Sequence, residues 1–154
     1  MNIKTGKRIV SLLAIFCSLQ SATADEIDKS MEVLIVDDSS LMRTIDRNLL
    51  GEIGIKHVTE AGNAEFALES LKSRHYDFVL LSWRLNGTSG LNVLSAIRND
   101  PDTRLLPVIV TFDTNENTPD NIATGTQAGV NNYLTKPFTA NDLRAKLEHT
   151  FNLR

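Results

Sequence analysis

Short apolar runs alternate with amphipathic segments along the chain, and this alternation constrains the fold more than any other feature. Residues 33–36 (VLIV) form a continuous apolar run, and a second run fills the segment 76–82, as is typical of strands covered on both faces. Further strand-like runs lie at 108–111 and 132–135, with a weaker one at 57–60 that we place nearer a sheet edge. The alternation predicts one α/β domain, a doubly wound five-stranded parallel sheet with five helices.

The first predicted helix follows the run at 33–36. Ser39 or Ser40 can cap its amino end, and Gly54 can close its carboxyl end. Its apolar residues recur at four-residue intervals, which indicates a buried face. The members of that face are Leu41, Ile45, Leu49 and Ile53.

The later helices differ in how clearly the sequence defines them. Thr139 can cap the last helix, as Asn63 can cap the second. The fourth segment, around Ile122, is polar and contains glycine, so this helix is predicted to be short or loose.

The first thirty residues differ from the rest of the chain. Three basic residues precede an apolar run at 9–19, and residues 22–24 (ATA) are small, as an export peptidase requires. The segment 1–30 is therefore either a leader resembling a signal peptide, with export of the protein, or the product of a misassigned start. In the second case translation begins at Met31 and the protein is cytoplasmic. Residues 31–154 form the domain in both cases.

Composition excludes several classes of function. A net charge of -3 over 154 residues gives no electrostatic footprint for nucleic acid. The single cysteine, Cys17, rules out an intrachain disulfide and a cysteine-based zinc site. The apolar run at 9–19 is too short for a permanent membrane span.

Polar residues follow three predicted strands where each strand ends. Asp37 and Asp38 follow the first strand, Ser82 ends the third, and Lys136 and Pro137 follow the fifth. Ligands gather at the carboxyl edge of such sheets. Two adjacent carboxylates repel each other unless a divalent ion or a lysine ammonium neutralises them. Alternatively, one of the two carboxylates only helps to start the following helix, because the helix dipole favours an anion at its amino end.

Four blocks of sequence carry a family resemblance. They are VLIVDDSSLMR at 33–43, RNLLGEIG at 47–54, the segment 78–91 that begins FVLLSW, and NIATGTQAGVNNYLTKPFTANDL at 121–143. The chain resembles the receiver domains of two-component signalling, of the stand-alone CheY-like, flavodoxin-like type. The resemblance covers residues 31 to about 151.

The resemblance implies roles for the residues at the sheet edge. Asp37 and Asp38 match the acidic pair that holds Mg²⁺, with Asp38 as the direct ligand. Lys136 matches the lysine that pairs with the acceptor carboxylate and then with the phosphoryl oxygens. The bond between Lys136 and Pro137 is expected to be cis.

The third strand departs from the family where the acceptor aspartate is expected. Ser82 stands there, and Trp83 and Gly90 keep the family register. A serine hydroxyl without a neighbouring general base is a poor nucleophile. Loss of the carboxylate also implies weakened Mg²⁺ binding at Asp38 and leaves Lys136 free to settle between the two aspartates.

The switch positions are also altered. Thr111 is the candidate for the switch hydroxyl, but the spacing from Pro107 to Thr111 is one residue shorter than in the family. In the alternative register Phe112 takes the switch position. Tyr133 matches the family's aromatic switch. Its alternative role is that of a surface aromatic facing a partner.

These observations predict a receiver-like protein that is not an enzyme and has lost phosphoacceptance. It is expected to bind a protein partner, such as a histidine kinase, a motor component or a regulator component, through the face of helix 4, strand 5 and helix 5. The alternative is a working phosphoacceptor that uses Ser82 or another hydroxyl.

Overall fold

A computed structural model describes residues 26–153, in which strands and helices alternate along the chain. The strands are β1 (Glu32–Val36), β2 (His57–Ala61), β3 (Phe78–Ser82), β4 (Val108–Phe112) and β5 (Asn132–Thr135). The helices are α1 (Ser40–Ile53), α2 (Ala64–Ser73), α3 (Gly90–Asn99), α4 (Pro119–Ala128) and α5 (Ala140–Thr150). Residues 1–25 of the predicted leader at 1–30 lie outside the described residues.

The five strands form one parallel sheet in the order β2-β1-β3-β4-β5. The predicted fold is confirmed, and β2 lies at an edge as expected. A small antiparallel hairpin, Arg84–Leu85 with Thr88–Ser89, connects β3 to α3. The carboxyl ends of β1 and β3 are therefore adjacent, with those of β4 and β5 beside them.

Helices cover both faces of the sheet, which explains the continuous apolar runs. Successive strand residues point to opposite faces. Leu34 and Val36 belong to the core on the α2/α3 side, whereas Val33 and Ile35 belong to the core on the α1/α5 side. All four side chains are fully buried.

The buried face of α1 differs from the predicted one. Leu41 is 67% exposed and Ile45 is 38% exposed, whereas Ile53 is buried. An α-helix has 3.6 residues per turn, so a row at four-residue intervals drifts around the axis by about 40° per step. Only the carboxyl end of that row faces the core. At its middle the core side is taken by Asp46, followed by Leu50.

Helix α4 also differs from the expectation of a short or loose helix. It has ten residues, as many as α2 and α3. The Thr118 side chain accepts a hydrogen bond from Asn121 N, and Pro119 is the first helical residue, which together define a firm amino end. The glycine that suggested weakness, Gly125, is buried in the helix where another side chain lies close.

Packing begins before the predicted domain boundary at residue 31. Ile27 is 4% exposed and lies in the α1/α5 core. Lys29 forms an ion pair with Glu26, and its aliphatic stem lies beside Gly54. The boundary at residue 31 stays a prediction, and Ile27 and Lys29 already pack against the domain ahead of it.

Candidate functional site

Three of the predicted site residues meet at the carboxyl edge of the sheet. Lys136 Nζ lies 2.7 Å from Asp37 Oδ2 and 3.5 Å from Ser82 Oγ. The side chains of Lys136 and Asp37 are only 11% and 3% exposed. A pair this well shielded from water interacts strongly. The ammonium is thus held mainly by Asp37, and the Ser82 hydroxyl is at the limit of hydrogen-bond distance.

The second aspartate of the pair does not share this lysine. Asp38 Oδ2 accepts a hydrogen bond from Asn86 N, at 2.7 Å, in the loop of the small hairpin. Asp37 Oδ1 accepts from Ser39 N at 2.8 Å. Lys136 therefore does not lie between the two carboxylates as predicted. It pairs with Asp37, whereas Asp38 is bound by the Asn86 amide.

These contacts do not fit a magnesium site. Mg²⁺ requires near-octahedral oxygen coordination, usually with one or two carboxylates. Both oxygens of Asp37 and one oxygen of Asp38 are engaged by protein donors. Within residues 26–153, no three His, Cys, Asp or Glu side chains are grouped so that they could hold a metal ion.

The register of β4 separates the two candidates for the switch position. Thr111 pairs with Ser82 across the sheet and lies, by strand alternation, on the face of Ile109, towards α1 and α5. Phe112 points to the opposite face and is fully buried. Its ring stacks on Tyr133 with centroids 5.4 Å apart. The Tyr133 ring is thus packed against a phenyl ring, whereas Thr111 lies on the other face of the sheet.

Tyr133 is fixed at both ends of its side chain. Its ring lies against Phe112, and its hydroxyl is 2.9 Å from the Ile122 carbonyl oxygen and 2.8 Å from Thr126 Oγ1. Gly125 makes this arrangement feasible, since a Cβ there would lie 2.9 Å from the tyrosine oxygen. Trp83 also packs on Phe112, with its ring tilted by 52° and the centroids 5.1 Å apart. The three rings form one aromatic stack between the sheet edge and α4.

An ion pair that the sequence did not reveal lies next to the site, between Arg84 and Glu116. Arg84 Nη2 lies 2.6 Å from Glu116 Oε1, a charge contact without the alignment of a hydrogen bond. Glu116 is 6% exposed, and its other carboxylate oxygen accepts a hydrogen bond from Asp113 N. The pair ties the loop after β3 to the loop after β4. The two residues are far apart in sequence, so no local pattern could have indicated it.

Asp46 is a second residue that the sequence interpretation missed. It lies on α1, is 1% exposed, and its Oδ1 has no hydrogen-bond partner. The pKa of its carboxyl group is raised to about 7, chiefly by burial; the Lys136 ammonium opposes the rise and the Asp37 charge adds to it. One signal was available: Asp46 shares a stripe with Leu50 and Ile53, both buried.

The remaining predictions for this region concern the backbone. The peptide bond between Lys136 and Pro137 is cis, as the resemblance implied. Thr139 caps α5 and forms a capping box with Asp142, and Asn63 caps α2, as predicted. In the part of the chain that the structure describes, no helix combines the length and hydropathy that a membrane crossing needs.

Comparisons with known proteins agree with this geometry. The response regulator receiver domain family matches residues 33–148, and the chain therefore belongs to that family of two-component signalling proteins. Within it the chain is CheY-like: it is 42% identical over 125 residues to the chemotaxis protein CheY-3 of Vibrio cholerae, covering 81% of this chain and 95% of the relative. It is also 42% identical over 121 residues to the chemotaxis protein CheY of Pseudomonas aeruginosa, covering 79% and 96%.

A solved structure gives a further comparison. The receiver domain of a sensor histidine kinase from Pseudomonas aeruginosa, with a magnesium ion coordinated in its active site cleft, superposes with a TM-score of 0.70. It is 28% identical to this chain, and the match covers 80% of this chain and 98% of the other. That structure shows a receiver fold of this kind with a magnesium ion in its cleft.

Proposed function

We propose that this chain is a CheY-like receiver that no longer accepts a phosphoryl group and acts by binding a protein partner. One observation carries the proposal: a hydroxyl, Ser82, faces Lys136 where the family resemblance implies a carboxylate. A carboxylate nucleophile gives an acyl phosphate, whereas a serine hydroxyl needs a base to be activated. The Lys136 ammonium is engaged in an ion pair with Asp37 at 2.7 Å, so it is not available as that base.

The surroundings of Ser82 support the same proposal. The ion pair of Arg84 with Glu116 ties together the loops after β3 and β4, and the phenyl ring of Phe112 packs against the ring of Tyr133. A phosphoryl group would need oxygen-binding groups and room at this edge. The two cationic side chains that could bind its oxygens, Lys136 and Arg84, are already paired with Asp37 and Glu116.

We infer that the partner binds the face formed by α4, β5 and α5. Strand β5 is an edge strand, and Tyr133 on it is held in one position by the Phe112 ring and by α4. Tyrosine is enriched at protein interfaces. Because nothing at the site needs to be phosphorylated for this arrangement, the face is constantly ready for a kinase, motor or regulator component. The amount of protein then sets the signal.

The test is a phosphorylation challenge of the purified full chain. Acetyl phosphate or beryllofluoride is added with Mg²⁺, while Trp83 fluorescence, intact mass and the amide NMR signals of α4, β5 and α5 are followed. We expect no saturable quench, no gain of a phosphoryl mass and no shift of the amide signals. Trp83 lies against Phe112, so a rearrangement of the aromatic stack would change its emission.

Variants of Ser82 separate this proposal from its alternative. The alternative, phosphorylation of Ser82 itself, rests on its 3.5 Å distance from the Lys136 ammonium. A mass gain that disappears in Ser82→Ala would establish that alternative and refute ours. In Ser82→Asp we expect no response either, because Phe112 and the ion pair of Arg84 with Glu116 remain. A full response of Ser82→Asp would mean that the rest of the pocket is intact.

The site of action depends on the amino terminus. The similarity to chemotaxis proteins supports a cytoplasmic protein that starts at Met31, and the packing of Ile27 in the core supports a longer mature chain. Amino-terminal sequencing of the native protein distinguishes the cases. A first residue of Met31 indicates a cytoplasmic protein, whereas Asp25 indicates export after removal of residues 1–24.

A further inference from the structure

A cavity of about 310 Å³ lies between α1 and the loop that follows β5. Small-molecule sites occupy roughly 300–1,000 Å³, and a dry engineered cavity of about 150 Å³ already binds benzene. The cavity can therefore hold a molecule of about one ring and a short chain. Its apolar wall consists of Met42, Ile45, Leu49, Pro137 and Phe138.

Asp46 also lines this cavity, and it is the feature that distinguishes the cavity from an ordinary apolar cleft. The residue is 1% exposed, and Oδ1 is buried without a protein hydrogen-bond donor. A buried carboxylate oxygen without a donor is costly, and a ligand that supplies the donor recovers that free energy. The cavity thus combines an apolar wall with one unsatisfied acceptor.

The surrounding charges favour a cation as the donor. Lys136 and Asp113 also line the cavity. The Lys136 ammonium is 2.7 Å from Asp37 and 3.8 Å from Asp113, so its charge is already balanced. With Asp46, three carboxylates surround a single ammonium. An anionic ligand would be repelled, and a second ammonium would be attracted.

We propose that this cavity binds a small amphiphilic primary amine, with its ammonium on Asp46 and its apolar part against Ile45, Leu49 and Phe138. The site is separate from the partner-binding face and does not depend on the loss of phosphoacceptance. It lies next to Ile45, in the more exposed half of the apolar row of α1. The ligand can enter there, because Ile45 is partly exposed.

The test uses phenethylamine as the probe, with 2-phenylethanol as a neutral analogue and 3-phenylpropionate as an anionic one. The full chain is titrated at pH 8 by calorimetry and by amide NMR. We expect saturable binding of the amine, with signal changes at Ile45, Leu49 and Phe138. The alcohol and the acid should bind about tenfold more weakly or worse, a difference of about 1.4 kcal/mol or more.

Three variants make the test specific. Asp46→Asn keeps the shape but removes the charge, and Ile45→Lys places an internal ammonium beside Asp46 at a partly exposed position. Both should weaken amine binding about tenfold or more. Glu52→Gln removes an exposed acid from the same helix and should leave binding unchanged.

Three results would overturn the proposal. The first is an amine that binds no better than the alcohol, and the second is full affinity in Asp46→Asn. The third is the absence of saturable amine binding up to about 10 mM, the weak limit of a specific small-molecule site. None of these results bears on phosphorylation, so this proposal and the proposed function fail separately.

Discussion

The buried carboxyl group of Asp46 should make the stability of the folded chain depend on pH in an unusual direction. Its pKa is about 7 in the folded chain, against an ordinary value of 3.8, because burial disfavours the charged form. Between these two pH values the folded chain holds a proton that the unfolded chain has lost. The free energy of unfolding therefore falls as the pH rises from about 4 to about 7, and levels off above that.

The size of the effect follows from the shift. About three pKa units at about 1.4 kcal/mol each give about 4 kcal/mol in total, of which about 2–3 kcal/mol fall between pH 5 and pH 8. Asp46→Asn removes the titrating group and keeps the shape. The stability of this variant relative to the parent chain should therefore increase by about 2–3 kcal/mol from pH 5 to pH 8.

The measurement is urea unfolding of both proteins at intervals between pH 5 and pH 8.5, with Glu52→Gln as the control. Glu52 is an exposed acid on the same helix, so its variant should run parallel to the parent at every pH. Taking the difference between two proteins cancels the titration of all other groups. A difference for Asp46→Asn that stays constant within about 0.5 kcal/mol would refute the raised pKa.

Three further predictions follow from packing and capping. Gly90→Ala would press a Cβ onto the Ser82 carbonyl oxygen and should lower the free energy of unfolding by about 1–3 kcal/mol or more. Gly51 has open space around it, so Gly51→Ala should raise the free energy of unfolding by about 0.5–1 kcal/mol. Urea unfolding measures both changes. Thr139→Ala removes the capping box of α5 and should cost about 1 kcal/mol, and a cost below the error of a thermal melt would contradict that role. Phe112→Ala empties a fully buried ring position and should cost about 3–5 kcal/mol, so a loss below 1 kcal/mol would mean that the stack is not tightly packed.

The fold was predictable from the sequence because its signals are local and repeated. The continuous run at 78–81 reflects burial on both faces, and caps such as Ser39 and Thr139 act on the residues next to them. The buried face of α1 was misjudged because a four-residue spacing matches the helical turn only over a short length. Whether a residue of that row is buried depends on its position along the helix, and this follows from the packing of α1 on the sheet.

The site was predictable in part. The juxtaposition of Asp37 and Lys136 follows from strand ends that share one edge of the sheet. The separate partner of Asp38 is a backbone amide of the hairpin, and Arg84 finds Glu116 through two loops. Such contacts depend on loop geometry, which residue types alone do not specify. For the same reason the cavity beside α1 left no sequence signal except a single acid within an apolar stripe.

The contact of Lys136 with Asp37 has a consequence for any aspartate introduced at position 82. Replacing Ser82 with aspartate would add another carboxylate around an ammonium that is already shared among acidic neighbours. The same substitution would be less costly in a background where Asp46 is apolar. Positions 46 and 82 are therefore expected to show epistasis. The cost of an aspartate at position 82 is thus set in part by a residue on α1, away from the strand ends that form the site.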